Sequence, residues 1–352
     1  MKKDYKKILS DIQRAQKHRE LARYYNLNSI LGNNWANFFV IVGSRKTGKS
    51  YSVTDFLCRQ KKKLRENVKN YWLRISDTST KAMLANKADK LVDPDLKRKY
   101  NLDLKTKGMD VFNHDELFMT VCPLSSFGKL KGVGFYDKDF TGWYNIVLDE
   151  FQLEVGEKRT SFDILYNFIG MVENIARTTK NKIRVFLLGN TLEEASTILK
   201  AFNFLPEKFG RFYLRSKKCV IDNIEPTEEY LADRKGSLAD ILGGDSMSNY
   251  TNMIKKDLSL IYKGRVHTPN GIIKFTKETK NWYTIWDNGI IRRYKKEKLD
   301  KSYDFCMRPY LDSYYSSERK ITILDMYDSG AFRFDTLITK AYFESDLQMV
   351  RK

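Results

Sequence analysis

Phe38-Phe39-Val40-Ile41-Val42, running directly into Gly43-Ser44-Arg45-Lys46-Thr47-Gly48-Lys49-Ser50, is the stretch that decides the fold. An unbroken apolar run of this length predicts a strand buried on both faces of a parallel sheet. The residues after it fit G-x-x-x-x-G-K-[ST], in which the glycines let the backbone curl. The N–H groups of the loop and of the next helix then face phosphate oxygens. In this reading Gly43, Ser44, Arg45, Lys46, Thr47 and Gly48 cradle the phosphates of ATP. Lys49 binds the β and γ oxygens, and Ser50 ligates Mg²⁺. The competing reading, a glycine-containing turn with an incidental lysine, loses to context: a strand precedes the loop and a helical stretch, SYSVTDFLCRQKKK, follows it.

Working outward, YWLRI, LFMTVC, YNIVLDE and IRVFLLG alternate with helical stretches, which predicts a parallel α/β sheet flanked by helices. The strand Ile146-Val147-Leu148 ends in Asp149, the residue type that holds the Mg²⁺ shell, and Glu150 follows, placed to polarise an attacking water. Adjacent acids at that strand end mark the additional-strand, catalytic-glutamate class of P-loop ATPases. Asn190, after the last of these strands, reads equally well as a γ-phosphate sensor or as the cap of the next helix. Arg74, ending YWLRI, is a further candidate for sensing nucleotide.

The 352 residues carry 63 Lys and Arg against 44 acidic residues, a formal charge of +19, so polyanions are the expected partners. No apolar run approaches the roughly 20 residues that span a bilayer, so no membrane role is expected. The N-terminus has the charge of a signal peptide without its apolar stretch and reads as mature protein. Cys58, Cys122, Cys219 and Cys306, with His18, His114 and His267, show no metal-ligand spacing, so reduced thiols and no zinc are expected. The domain reading is a basic helical arm over 1–28, the ATPase domain over 29–222, a partly helical linker over 223–256, and a smaller α+β domain over 257–352. In the last domain LSLIYKG, GIIKFT, WYTIWDNGIIRRY and KITILDMY read as strands, with a turn at Asp287-Asn288-Gly289. Arg292, Arg293, Lys295, Lys296 and Lys298 read either as a phosphate-facing stripe or as a solvated face.

NFFVIVGSRKTGKSY, YWLRI, CPLSSFGKLK ahead of NIVLDEF, VENIAR upstream of IRVFLLGN, and SGAFRFDTLITKAYF together resemble one family: the DNA-packaging (encapsidation) ATPases of small short-tailed phages with terminal-protein-linked genomes. The resemblance runs from about Asn37 to the C-terminus. It implies a homopentameric ring at the portal of a procapsid in the host cytoplasm, absent from the mature virion, which threads double-stranded DNA inward. A structural packaging RNA is a partner in relatives. The resemblance places a trans-acting arginine at Arg177, with Arg184 as rival, and a basic ATP-site or pore residue at Lys131, with Lys129 as rival. It also implies a C-terminal domain like a degenerate ribonuclease H-type nuclease without its metal-binding acids; Asp257, Asp287, Asp304 and Asp325 are the acids a working nuclease would need to converge. A large terminase with an active nuclease and a helicase are the alternatives.

Overall fold

The computed structural model describes residues 24–130, 137, 139–151, 163–177, 182–190, 197–237, 241, 258–267, 269–273, 275, 281–286, 289–294, 323 and 325–350. The chain divides into two compact units, Met1–Leu192 with Lys208–Ile254, and Glu193–Glu207 with Lys255–Lys352. Lys131, Lys295, Lys296, Lys298, Asp257, Asp287, Asp304, Cys306 and most of the basic arm lie outside the described residues.

The first unit holds β1 (Phe38–Val42), β2 (Val68–Arg74), β3 (Leu104–Lys107), β4 (Asp110–Asn113), β5 (Glu116–Pro123), β6 (Trp143–Asp149), β7 (Lys182–Gly189), β8 (Gly210–Leu214) and β9 (Cys219–Asn223). They form one nine-stranded sheet in the order β3-β4-β5-β2-β6-β7-β1-β9-β8. The six strands from β5 to β9 in that order run parallel, and antiparallel hairpins extend both borders. Register brings the strand ends into one row: Pro123 beside Arg74, Leu73 beside Leu148, Asp149 beside Leu188, and Gly189 beside Val42. β7 lies between the strand of the phosphate loop and the strand of the acids, which is the additional strand expected of the class.

Helix α1 (Lys49–Lys62) follows the loop, and α2 (Ile164–Ala176) belongs to the crossover from β6 to β7. Val53, Phe56 and Leu57 of α1 pack with Phe39, Ile41, Val147, Phe186 and Val220 in one buried cluster. Phe39 and Phe186 stack with centroids 5.5 Å apart. Phe39 to Val42 are all buried, as a run covered on both faces requires. The β3–β4 hairpin and the strands β8 and β9 were not anticipated; β9 is short and ends in polar Asp222-Asn223, which hid it at the border of the linker reading.

In the second unit β10 (Pro269–Ile273), β11 (Trp282–Trp286), β12 (Ile290–Tyr294) and β13 (Arg333–Phe334) form a sheet in that order, with β13 parallel to β12. Among the described residues its helices include α3 (Thr197–Phe202) and α4 (Leu337–Val350). Phe343 of α4 is fully buried, and the rings of Phe275, Tyr283, Phe332 and Phe334 surround it at 4.9 to 5.7 Å. One expected strand is corrected: in KITILDMY, Ile323 and Asp325 to Tyr327 are helical. Ile323, Met326 and Tyr327 all meet the core, a spacing of three and four that suits a helix and not a strand. LSLIYKG likewise opens as a 3₁₀ turn over Leu258–Leu260 with a single bridge from Ile261 to Phe334. The segment Glu193–Glu207, which the sequence reading kept inside the ATPase domain, groups with the second unit. There Tyr342 Oη donates to Lys200 O at 2.7 Å, and Lys263 pairs with Glu207 at 2.8 Å.

Candidate nucleotide site

The loop between β1 and α1 closes against the neighbouring strand, Gly43 N–H donating to Gly189 O at 3.2 Å. Two of its glycines are sterically required. A side chain at Gly43 would start 2.9 Å from Ile224 Cβ, and Gly48 has φ 82° with Tyr24 against it. Lys49 is buried and folds back into the loop, its Nζ donating to Gly43 O and Ser44 O, both at 2.7 Å. Burial lowers its pKa to about 8; Asp149 and Glu150 oppose that shift and Arg45 adds to it. The Ser44 hydroxyl is buried and, among the described residues, has no hydrogen-bond partner. An orphaned donor beside a buried ammonium, in a loop curled at the N-terminus of a 14-residue helix, fits a polyphosphate.

Asp149 ends β6 buried, and its Oδ1 accepts from Ser50 Oγ at 3.2 Å. Its Oδ2 pairs with Arg74 Nη1 at 3.1 Å. Burial pushes the Asp149 carboxyl above the usual range, with Arg74 and the Ser50 hydrogen bond opposing. Glu150 stands at φ 56°, a left-handed conformation that costs a non-glycine residue about 1 kcal/mol or more. The turn it makes lets Phe151 N–H return to Leu188 O at 3.2 Å and leaves the Glu150 carboxylate half-exposed. Arg74 Nη2 also holds that carboxylate, so one guanidinium spans both acids. Ser50, Lys49, Arg74, Asp149 and Glu150 are thus brought together. The Arg74 bridge was legible only in outline, since its position beside Asp149 depends on the β2–β6 register.

The other predicted residues spread further. Asn190 follows Gly189, whose carbonyl the loop itself binds, so it stands at the loop's edge. Arg177 caps the C-terminus of α2, exposed, at φ 45°, its N–H donating to Glu173 O at 2.8 Å. It precedes β7 and so belongs to the side of the sheet where that strand begins. Arg184 lies near that same end, with its guanidinium 3.5 Å above the Trp143 ring and 5.4 Å from Phe56. Lys129 is exposed on a helical turn over Phe127–Leu130. The expected basic stripe is corrected for its two described members. Adjacent residues of β12 face opposite sides, with Arg292 over Trp286 at 5.2 Å and Arg293 over Tyr342 at 3.7 Å.

Sequence reasoning missed a strap ahead of β1, whose first residues it had assigned to the arm. Tyr25 N–H donates to Thr47 O at 2.8 Å, and the Ser52 hydroxyl donates to Tyr25 O. Tyr25 Oη donates to Asp222 Oδ2 at 3.0 Å, and Arg211 holds the same oxygen at 2.9 Å. On the other flank, Tyr230 Oη donates to Arg45 O at 2.7 Å. Among the described residues, no group of three or more His, Cys, Asp or Glu converges on a metal position, and no helix is long and apolar enough to cross a membrane. Cys58, Cys122 and Cys219 are free and buried.

No match to the sequence is found among the curated proteins. Among solved structures the chain is similar to the phage Phi-28 gp11 DNA packaging motor, with a TM-score of 0.61 and 14% identity over 93% of this chain and 97% of that one. It is also similar to the bacteriophage Phi-29 viral genome packaging motor assembly, with a TM-score of 0.56 and 16% identity over 94% and 100%. At such identities the likeness establishes the fold. The sequence itself matches the family described as Podovirus DNA encapsidation protein (Gp16) over residues 20–301. The chain belongs to the podovirus DNA encapsidation protein family.

Proposed function

We propose that this chain is the ATP-hydrolysing subunit of a motor that drives double-stranded DNA into a procapsid through its portal. The single observation that carries the chemistry is the row of strand ends on which Ser50, Asp149, Arg74 and Glu150 meet beside a curled loop holding a buried lysine. Residues 43–50 and Lys49 would hold the triphosphate, and Ser50 with Asp149 would hold magnesium. When bound, the ion neutralises charge on the phosphate oxygens. Glu150 is the base: its carboxylate takes a proton from the attacking water once Arg74 releases it. Asn190 reads the γ-phosphate end from the neighbouring strand.

Arg177 acts on the adjacent subunit's nucleotide, which suits its place at the start of β7 and away from its own loop. A ring, pentameric by resemblance, is the assembly this requires, and a packaging RNA belongs to the same reading. The second unit serves as a nucleic-acid-binding module without nuclease chemistry. The basic excess of the chain supplies sequence-independent contact with DNA phosphates. Phosphate release by the purified protein, with and without duplex DNA, tests the proposal. DNA should stimulate release, and magnesium chelation should abolish it without unfolding the protein. A rate indifferent to both would overturn it, and Mg²⁺- or Mn²⁺-dependent DNA cleavage would favour a terminase instead.

A further inference from the structure

The strap places an aromatic side chain where the phosphate loop opens. Tyr25 is fixed on both sides of Gly48, by its N–H to Thr47 O at 2.8 Å and by the Ser52 hydroxyl on its carbonyl. Its phenol is anchored separately to Asp222 on β9. These bonds fix the backbone next to Tyr24, whose Cβ and Cδ1 both lie 3.1 Å from the point where a Gly48 Cβ would stand. Yet the residue stays 46% exposed. A tyrosine covered this little gains only part of the stabilisation that full burial would give it.

In the sheet order β6 and its acids lie to one side of β1 while the strap is anchored to β9 on the other, so a polyphosphate whose terminal end faced the acids would have its nucleoside toward the strap. We propose that Tyr24 is the stacking platform for the purine base. The inference rests on the reading of the phosphate loop given above and adds to it a residue for the half of the nucleotide that the loop does not touch. Planar bases stack on a tyrosine face without needing directed hydrogen bonds, so one well-placed ring is a sufficient contact. The nearby alternative, Tyr51 on α1, is 37% exposed but has Asp55, Asp93 and Asp95 as its electrostatic neighbours. That acidic setting repels an anionic nucleotide. Tyr24 instead sits against the loop whose helix terminus and lysine attract one.

Calorimetric titration of the full-length protein with ADP and with inorganic pyrophosphate separates the base from the phosphates, with no turnover involved. Tyr24→Ala should weaken ADP binding about tenfold and leave pyrophosphate binding as in the unaltered protein. Tyr24→Phe should retain ADP affinity. Tyr24→Leu, which covers Gly48 without offering a π-face, should behave like the alanine variant. Unchanged ADP affinity in Tyr24→Ala, full affinity in Tyr24→Leu, or equal losses for both ligands would each overturn the platform. Should the unaltered protein bind neither ligand, the phosphate-loop reading itself falls and this inference with it. Should it bind both equally, the loop reading stands and the platform alone is lost.

Discussion

Where the parallel strands end, Arg74 spans Asp149 and Glu150; where they begin, Arg184 lies over the Trp143 ring. One strand, β6, touches both places, with Trp143 at its start and Asp149 at its end, about 20 Å apart at the usual rise. Both arginines occupy sheet positions and both are largely covered, but their partners differ in kind. Arg74 is bound to the acids proposed to hold magnesium and to activate water, so its bonds could be traded when a ligand arrives. Arg184 is bound to a ring: burial lowers its pKa with Glu66 opposing, and its Nη1 lies buried without a hydrogen-bond partner among the described residues. Sequence alone makes the two look alike, and what each guanidinium lies on tells them apart.

The largest effects should come from breaking the first arrangement and the trans contact proposed to complete it. Arg177→Ala should keep nucleotide affinity while turnover falls by about 10³-fold, the scale of a lost arginine finger. Glu150→Gln should also bind nucleotide and lose turnover by about 10²-fold or more, since the amide cannot take the proton. Mixing the two inactive variants creates interfaces that pair an intact glutamate with an intact arginine, and phosphate release should reappear. Silence at every ratio in confirmed mixed assemblies would show that Arg177 does not act on a neighbour. If Arg184→Ala were rescued in this way instead, the contrast between the two edges would be wrong.

The parts of the site that could be read in the sequence were those whose chemistry is written in consecutive residues. The loop 43–50 and the Asp149-Glu150 pair needed only a strand before them, and apolar runs announced the strands. What stayed hidden depended on contacts between distant residues. Arg74 reaches the acids because Leu73 is in register with Leu148. The strap matters because Tyr25 finds Asp222, 197 positions away. The strand reading of KITILDMY failed because its apolar residues serve both periods, and only packing against Phe343 chooses the helical one. The stripe at Arg292 and Arg293 failed on strand alternation, which the run of charges concealed.

Proton linkage at Lys49 gives a smaller effect at the loop. In the free protein burial lowers this lysine to about 8, while a bound polyphosphate would favour its charged form and raise that value. Below the free value the ammonium is ready and affinity is flat. Above it, binding must first take up a proton, so affinity should fall by up to about tenfold per pH unit until the bound-state value is reached. The buried thiols of Cys58, Cys122 and Cys219, pushed up to about 12, are silent in this window. Titration of ADP across the window checks this, and Lys49→Arg, which keeps its charge, should bind with no such slope. A flat profile in the unaltered protein would mean that Lys49 is not desolvated as its geometry implies.

The smallest effect belongs to the other edge, and its sign is informative. Arg184 gains from lying over Trp143 at 3.5 Å but pays for a buried, unpartnered nitrogen. Stacking of this kind contributes about 0.5–2 kcal/mol, and an unsatisfied buried donor costs about 1–3 kcal/mol, so the two nearly cancel. Arg184→Met keeps a long side chain between Trp143 and Phe56 while removing the charge, and its melting temperature should match or slightly exceed that of the unaltered protein. Arg184→Ala also removes the packing and should lower the melting temperature by about 2–4 °C, equivalent to about 1 kcal/mol. Neither variant should change phosphate release beyond what stability explains, because the close contact of this guanidinium is an aromatic ring, with Glu66 acting on it as an electrostatic neighbour, at the end of the sheet opposite Asp149. A folded Arg184→Met protein that binds nucleotide but no longer hydrolyses it would place this arginine in the chemistry and erase the distinction between the two edges.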